Sequence, residues 1–260
     1  MRIISWNVFV SNKKIKKGIH YILSLSPDVI CLQEVPQRMM SYLRTRSGYS
    51  LSTCFDSKHH RTSKRHVYVC TLTRQKPISV TKHTYDNGFS NSFLTKAYTS
   101  LLHIEEKHMV LVVTLTVRRK KIQIANTRLS CAIGTHDRLQ EFTTLIQKTK
   151  RSTIPTIYCG DLNVADSKIF NRLTGWIRGF DHFDYLLDER EAFEKLYEKE
   201  GLTNIFRGTS TSITNRPLLQ FDHILVPNFC TVEGNGLTRK RYGSDHKMLI
   251  ADINFFKKIS

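Results

Sequence analysis

Short apolar runs broken by polar residues recur along the chain, at 2–6, 28–32, 67–73, 93–102, 109–117, 121–127, 155–159, 221–226 and 247–255. Their lengths and patterning are those of β-strands. The runs at 112–117 and 122–125 flank the basic tetrad Arg118-Arg119-Lys120-Lys121, which predicts a hairpin with a charged tip. A second spacing predicts helices. Ile15, Ile19, Ile22 and Leu23 fall on one helical face, as do Leu139, Phe142, Leu145 and Ile146. A third helix is expected from Glu189 to Lys199, ending before Gly201. The polar stretches 56–66 and 208–216 read as surface loops. Helices interleaved with strands, some hairpin-linked, predict an α/β fold in which helices cover sheets.

Polar residues gather at the ends of these runs. Asn7 closes Ile3-Ile4-Ser5-Trp6-Asn7, and Gln33-Glu34 follow Val29-Ile30-Cys31-Leu32. Gly160-Asp161-Leu162-Asn163 follow Thr156-Ile157-Tyr158-Cys159, while Asp222 stands at the start of its own run. Ser244-Asp245-His246 stand just ahead of Met248-Leu249-Ile250-Ala251. Strand ends on one rim of a sheet can converge on one pocket. Carboxylate and amide oxygens collected there suit Mg²⁺, with Mn²⁺ as a substitute. Asp161 is suited to orient or deprotonate an attacking water. Asn163, two residues on, would share its face in an extended chain and could donate to a phosphoryl oxygen. The acid beside His246 can fix the ring's tautomer, and the charged ring can face developing negative charge. Each cluster alone has an ordinary reading as a turn or a strand end. Their repetition on one plan is what points to a site.

In order, Asn7, Gln33-Glu34, Gly160-Asp161-Leu162-Asn163, Asp222 and Ser244-Asp245-His246 resemble the endonuclease/exonuclease/phosphatase superfamily. Deoxyribonuclease I-like and exonuclease III-like nucleases, inositol-polyphosphate phosphatases and sphingomyelinases belong to it. The resemblance runs from Arg2 to about Phe255. It implies a four-layer α/β/β/α sandwich of two packed mixed β-sheets flanked by helices. It also implies that Glu34 binds the catalytic metal, with Asn7 orienting Glu34 or touching the metal and Asp245 nearby. By the same resemblance Asp222 holds the ring of His246, and His246 contacts the scissile phosphate. Two positions depart from the pattern. Phe9 stands where abasic-site nucleases carry Asp. Arg128 stands where many members carry His and abasic-site nucleases carry Tyr. A guanidinium there can clamp phosphate through two parallel hydrogen bonds and a permanent charge, but it cannot act as a general acid at neutral pH.

Charge narrows the substrate. Forty Lys and Arg against 22 Asp and Glu give +18, a field that concentrates polyanions. Residues 181–200 hold eight acids against Arg190, Lys195 and Lys199, so that segment carries −5 and the remainder +23. The acidic stretch is therefore expected away from the substrate face. Arg239 and Arg241 immediately precede the Asp245-His246 pair and could border the cleft, where Tyr242 would stack on a base.

Of the six cysteines, Cys31, Cys70 and Cys159 lie inside apolar runs, where a reduced thiol acts as a small hydrophobe. No secretory signal precedes the run at 2–6, so an intracellular site, cytoplasmic or with the genome, is expected. The stretch 109–117 is too short and too Thr-rich to span a membrane. Residues 1–260 read as one domain, because motifs of one site lie at both ends, and as a monomer. The expected function is a Mg²⁺-dependent phosphodiesterase acting on nucleic acid, DNA before RNA. The rival readings are a phosphomonoesterase of inositol phosphates or another small polyanion, and a catalytically impaired nucleic-acid-binding module.

Overall fold

The computed structural model describes residues 1–59, 65–85, 104–107, 109–131, 133–150, 153–165, 167–176, 180–212 and 219–255. Thirteen strands among them form two sheets. They are β1 (Arg2–Asn7), β2 (Val29–Pro36), β3 (Ser50–His59), β4 (Arg65–Thr73), β5 (Ser79–Thr84), β6 (Ile104–Glu106), β7 (Met109–Val117), β8 (Lys120–Arg128), β9 (Thr156–Asp161), β10 (Leu202–Asn204), β11 (Asp222–Pro227), β12 (Thr231–Leu237) and β13 (Leu249–Asn254). The first sheet runs β12-β13-β1-β2-β4-β3-β6 and the second β10-β11-β9-β8-β7-β5. Both are mixed. Each holds one parallel pair, β1 with β2 and β8 with β9, among antiparallel neighbours. Parallel neighbours need a crossover, and helices α1 (Ile15–Ser24) and α3 (Thr135–Thr149) supply it. Further helices are α2 (Met40–Arg46), α4 (Lys168–Thr174) and α5 (Glu189–Lys199).

Three apolar layers separate the four structural ones. Between the sheets lie Ile3, Cys31, Val113, Ile124, Cys159, Ile224 and Ala251, all essentially inaccessible. Phe142, Leu145, Phe193 and Tyr197 of α3 and α5 seal the outer face of the second sheet. Ile15, Ile19 and Ile22 of α1 and Leu43 of α2 seal the first. Strands buried on both faces explain why β1, β2 and β9 read as unbroken apolar runs rather than alternating ones. Helix α1 comes close to the first sheet at Gly18, where a Cβ would stand 2.3 Å from the ring of Trp6. Helix α5 begins where Asp188 accepts a hydrogen bond from the Glu191 amide, and two acids in its first turn suit the helix dipole.

The two parallel pairs fix the position of the site. Their carboxyl ends present Asn7, Glu34, Arg128 and Asp161 at one rim, where crossovers leave a crevice. Just inside it a polar link joins the sheets. Gln33 Nε2 donates to Asn126 Oδ1 at 2.7 Å, and Asn126 Nδ2 donates to the Cys70 carbonyl at 2.9 Å. The second sheet's register sets Asp222 opposite Asp161 and Arg128 beside it.

Several expectations change. The stretch 56–66 is not a plain surface loop: β3 and β4 run into it as a hairpin, and Asp56 is buried. Cross-strand pairing overrode its polar composition. The expected strand at 93–102 lies outside the described residues, as does 213–218 of the expected loop 208–216. Within that loop Ser210, Thr211 and Ser212 are buried rather than exposed. The run at 28–32 continues to Pro36 through an irregular register after Leu32. The six cysteines form no disulfide, and four of them are buried. Among the described residues no helix is long and apolar enough to cross a membrane.

Candidate active site

Glu34 owes its position to a break in β2. Regular pairing with β4 stops at Leu32 and resumes at Val35, and Glu34 takes a left-handed φ of 53°. Its carboxylate turns into the crevice, where three donors meet it. Asn7 Nδ2 lies 3.1 Å from Oε1, Arg128 Nε lies 3.2 Å from the same oxygen, and the Val10 amide lies 3.2 Å from Oε2. Asn7 is itself oriented, because its Oδ1 accepts the amide of Phe9 at 3.0 Å. The remaining reach of Asn7 Nδ2 goes to Asp161 Oδ2, at 2.9 Å. One amide therefore bridges a carboxylate from each sheet.

Asp161 ends β9, and the chain around it is backbone-determined. Gly160 has φ 144°, and a Cβ there would stand 1.9 Å from the Thr127 carbonyl oxygen, so only glycine fits between β8 and β9. Asn163 does not continue the strand and share a face with Asp161, as extended geometry predicts. It takes φ 53°, and its amide donates to Asp161 Oδ1 at 3.0 Å, a turn closed by the carboxylate. Its Nδ2 donates to the Leu129 carbonyl at 2.7 Å.

Asp222 opens β11 with its amide on Thr211 Oγ1, and its Oδ2 meets His246 Nδ1 at 2.7 Å. The other carboxylate oxygen, Oδ1, is buried without a hydrogen-bond partner. Ser244 ties the His246 segment to the first sheet, donating to the Asn7 carbonyl at 2.7 Å and accepting the His246 amide at 3.0 Å. Asp245 Oδ1 lies 3.8 Å from His246 Nε2. One polar atom from each of Asp161, Asp222 and His246 falls within a 4.8 Å cluster.

The electrostatics follow from that packing. Burial alone would deprive His246 of its proton, but Asp222, helped by Asp161 and Asp245, raises its pKa to about 10. Burial raises Asp161 to about 6; Asp222 and Glu34 add to this, while His246 and Arg128 oppose it. Burial likewise raises Asp245. Glu34 moves the other way: burial disfavours its charge, yet Arg128, Asn7, His246 and the Val10 amide together hold it below the ordinary carboxylate value. At neutral pH the crevice thus holds ionised Glu34, a cationic His246, and a carboxylate in Asp161 that can take up a proton near neutrality.

A hard cation fits part of this set. Asp161, Asp222 and His246 each bring one ligand-type atom within 4.8 Å of the others, a group that could hold a metal ion. Glu34 and Asp245 add further carboxylate oxygens to the crevice; burial first, and then the charge of Glu34, raises Asp245. Like charges gathered around hard oxygens are what a Mg²⁺ site requires.

The other candidates lie at varied distances from this centre. Arg128 is nearly buried and spans two carboxylates, Glu34 and Asp56, the latter at 3.7 Å from NH1. Arg239 is exposed, and Arg241 donates to the Ser212 carbonyl at 3.0 Å. One face of Tyr242 is covered by Tyr21 of α1, with ring centroids 5.1 Å apart, rather than left open for a base. Asp56 escaped sequence reasoning because it sits in a basic, polar stretch; its spacing from buried Cys54 is the one signal that it faces inward.

A sequence model of the endonuclease/exonuclease/phosphatase family matches residues 4–246. A DNA-(apurinic or apyrimidinic site) endonuclease of Dictyostelium discoideum is 28% identical over 214 residues, 76% of this chain. The chain spans about half of that relative, 51% of its length. Among solved structures, an endonuclease/exonuclease/phosphatase from Beutenbergia cavernae superposes with a TM-score of 0.70 at 14% identity, covering 97% of this chain and 71% of that one. TDP2 from D. rerio, complexed with a single-strand DNA product, superposes with a TM-score of 0.64 at 17% identity over 98% of each chain.

Proposed function

Because the chain belongs to the endonuclease/exonuclease/phosphatase family, we propose that it is a divalent-metal-dependent phosphodiesterase that cleaves nucleic acid, DNA before RNA. The observation that carries this reading is the placement of His246, its Nδ1 2.7 Å from Asp222 Oδ2 and the ring gathered with Asp161 in one buried cluster. A fixed positive charge beside a base that titrates near neutrality is suited to attack on a phosphate diester.

Each residue then has a part. Asp161 accepts a proton from the attacking water, and Asn7 and the Asn163 amide hold its two oxygens in place. His246 faces the phosphoryl oxygens and meets the charge that builds on them. Asp222 keeps that ring protonated and oriented. Asn163 stands at the turn beside Asp161 and would donate to a phosphoryl oxygen by sharing or leaving its Nδ2 contact with the Leu129 carbonyl. A divalent cation held by Glu34, with Asn7 and Asp245, would supply Lewis-acid polarisation of the phosphate. Arg239 and Arg241 extend positive charge from the crevice along the strand of substrate. The net charge of +18 and the DNA-directed activity in the Dictyostelium relative's name support a nucleic-acid substrate over a small polyanion.

The test uses labelled single- and double-stranded DNA, abasic-site DNA, RNA and an inositol polyphosphate, each with Mg²⁺ or with EDTA. Cleavage of oligonucleotides that needs Mg²⁺ is expected. Duplex affinity should fall with salt at a slope of about 0.9 per phosphate neutralised. Release of inorganic phosphate from the inositol compound, with oligonucleotides intact, would assign the site to a phosphomonoesterase instead.

A further inference from the structure

The guanidinium of Arg128 occupies an unexpected place. Its Nε lies 3.2 Å from Glu34 Oε1, the oxygen that also takes Asn7, and its NH1 lies 3.7 Å from Asp56 Oδ1. The Arg128 and Asp56 side chains are only 12% and 7% exposed, so solvent screens the cluster little. Arg128 comes from the second sheet at the end of β8, and both carboxylates come from the first. Asp56 is set by an irregularity in β3, where pairing with β4 slips between Phe55 and Ser57. A permanent cation thus faces the carboxylate best suited to a divalent ion.

We propose that Arg128 is an internal competitor for the divalent cation, positioned by Asp56, whose transfer from Glu34 to an incoming phosphate couples metal binding to substrate binding. The inference rests on Glu34 being a metal ligand. A cation entering the crevice meets a carboxylate already partly neutralised and a guanidinium that repels it. A phosphate group changes both conditions. It offers the guanidinium two parallel oxygen acceptors and brings negative charge between the two cations. Metal should then tighten phosphate binding and phosphate should tighten metal binding by the same factor. Asp56 acts through Arg128: it keeps the guanidinium at the rim, within reach of both Glu34 and substrate.

Mn²⁺ titration of the full chain, followed by electron paramagnetic resonance of the free ion, tests this without catalysis. Sulfate serves as a tetrahedral dianion. Arg128→Gln should bind Mn²⁺ tighter on the order of tenfold, and Arg128→Lys, which keeps the charge, should stay within about threefold of wild type. Sulfate should tighten Mn²⁺ binding in wild type and lose most of that effect in Arg128→Gln. Asp56→Asn should alter Mn²⁺ affinity in wild type yet change it less than about twofold in the Arg128→Gln background, as expected if the two act as one unit. That double variant removes the buried pair together, so it also serves if Arg128→Gln alone fails to fold; it should then bind Mn²⁺ tighter than Asp56→Asn. Unchanged or weaker Mn²⁺ binding on loss of Arg128 would overturn the competition. An equal effect of Asp56→Asn in both backgrounds would overturn the positioning role. Glu34→Gln separates the two readings. If it leaves Mn²⁺ binding intact, or if wild type takes up no Mn²⁺, the metal assignment fails and the coupling with it.

Discussion

On β11 the chain passes from Asp222 to His223, and successive side chains of a strand point to opposite faces. Toward the crevice, Asp222 holds His246. Toward the helical layer, His223 Nδ1 donates to the Phe221 carbonyl at 3.1 Å. The edge of its ring meets Tyr197 of α5. Both rings are buried, yet their pKa values part: burial lowers His223 to about 4, whereas Asp222 overcomes burial and raises His246 to about 10. The contrast shows what sets the charge of a buried ring here. Burial by itself gives a neutral packing residue. Burial opposed by the charge and hydrogen bond of a neighbouring carboxylate favours the protonated ring.

Exchanging the two environments is the strongest way to break the contrast. Asp222→Asn leaves His246 in place but removes the charge that keeps it protonated. The cleavage rate should fall on the order of a thousandfold, the scale of losing one oriented charge-stabilising group. His223→Gln should leave the same rate within about threefold of wild type. Comparable losses in the two variants would mean that the ring's charge state is not what matters.

A smaller effect appears in stability. Unfolded, the His223 ring takes up its proton near its ordinary 6.5; folded, only near 4. The unfolded chain therefore binds the proton first, and acid favours unfolding between about pH 6.5 and 4. Over that window the ring should remove up to about 3 kcal/mol, at roughly 1.4 kcal/mol per unit. His246 has the opposite sense: its folded pKa lies above the unfolded one, so its contribution is complete below 6.5 and is lost as pH rises toward 10. Urea unfolding at pH 7 and pH 4.5 should show the acid loss in wild type and less of it in His223→Gln. Equal acid sensitivity in both would remove His223 from the explanation.

Much of the candidate site was legible because Asn7, Glu34, Asp161, Asp222 and His246 each stand beside an end of an apolar run, and strand ends at one rim converge. What stayed hidden depended on backbone turns and on distant partners. The left-handed residues Glu34 and Asn163 follow from a broken register and from an aspartate-closed turn, neither of which apolar periodicity encodes. Asp56 lies in a run whose composition suits a loop, and only its pairing with a strand and with Arg128 from the other sheet brings it inside. Tyr242 reads as an aromatic beside a basic cluster. Its packing on Tyr21 was set by where α1 lands on the first sheet. The seven-stranded and six-stranded sheets were likewise only partly visible, since β3, β5, β10 and β12 are short or polar enough to escape a search for apolar runs.

The most direct test is a single-turnover measurement with Asp161→Asn. This substitution removes the proposed proton acceptor while keeping the side chain's shape and one accepting oxygen for Asn7 or the Asn163 amide. Cleavage of a saturating labelled oligonucleotide in Mg²⁺ should slow on the order of a thousandfold, with the dissociation constant from fluorescence anisotropy within about threefold of wild type. A rate within about tenfold of wild type would contradict the assignment of phosphodiester cleavage to this crevice.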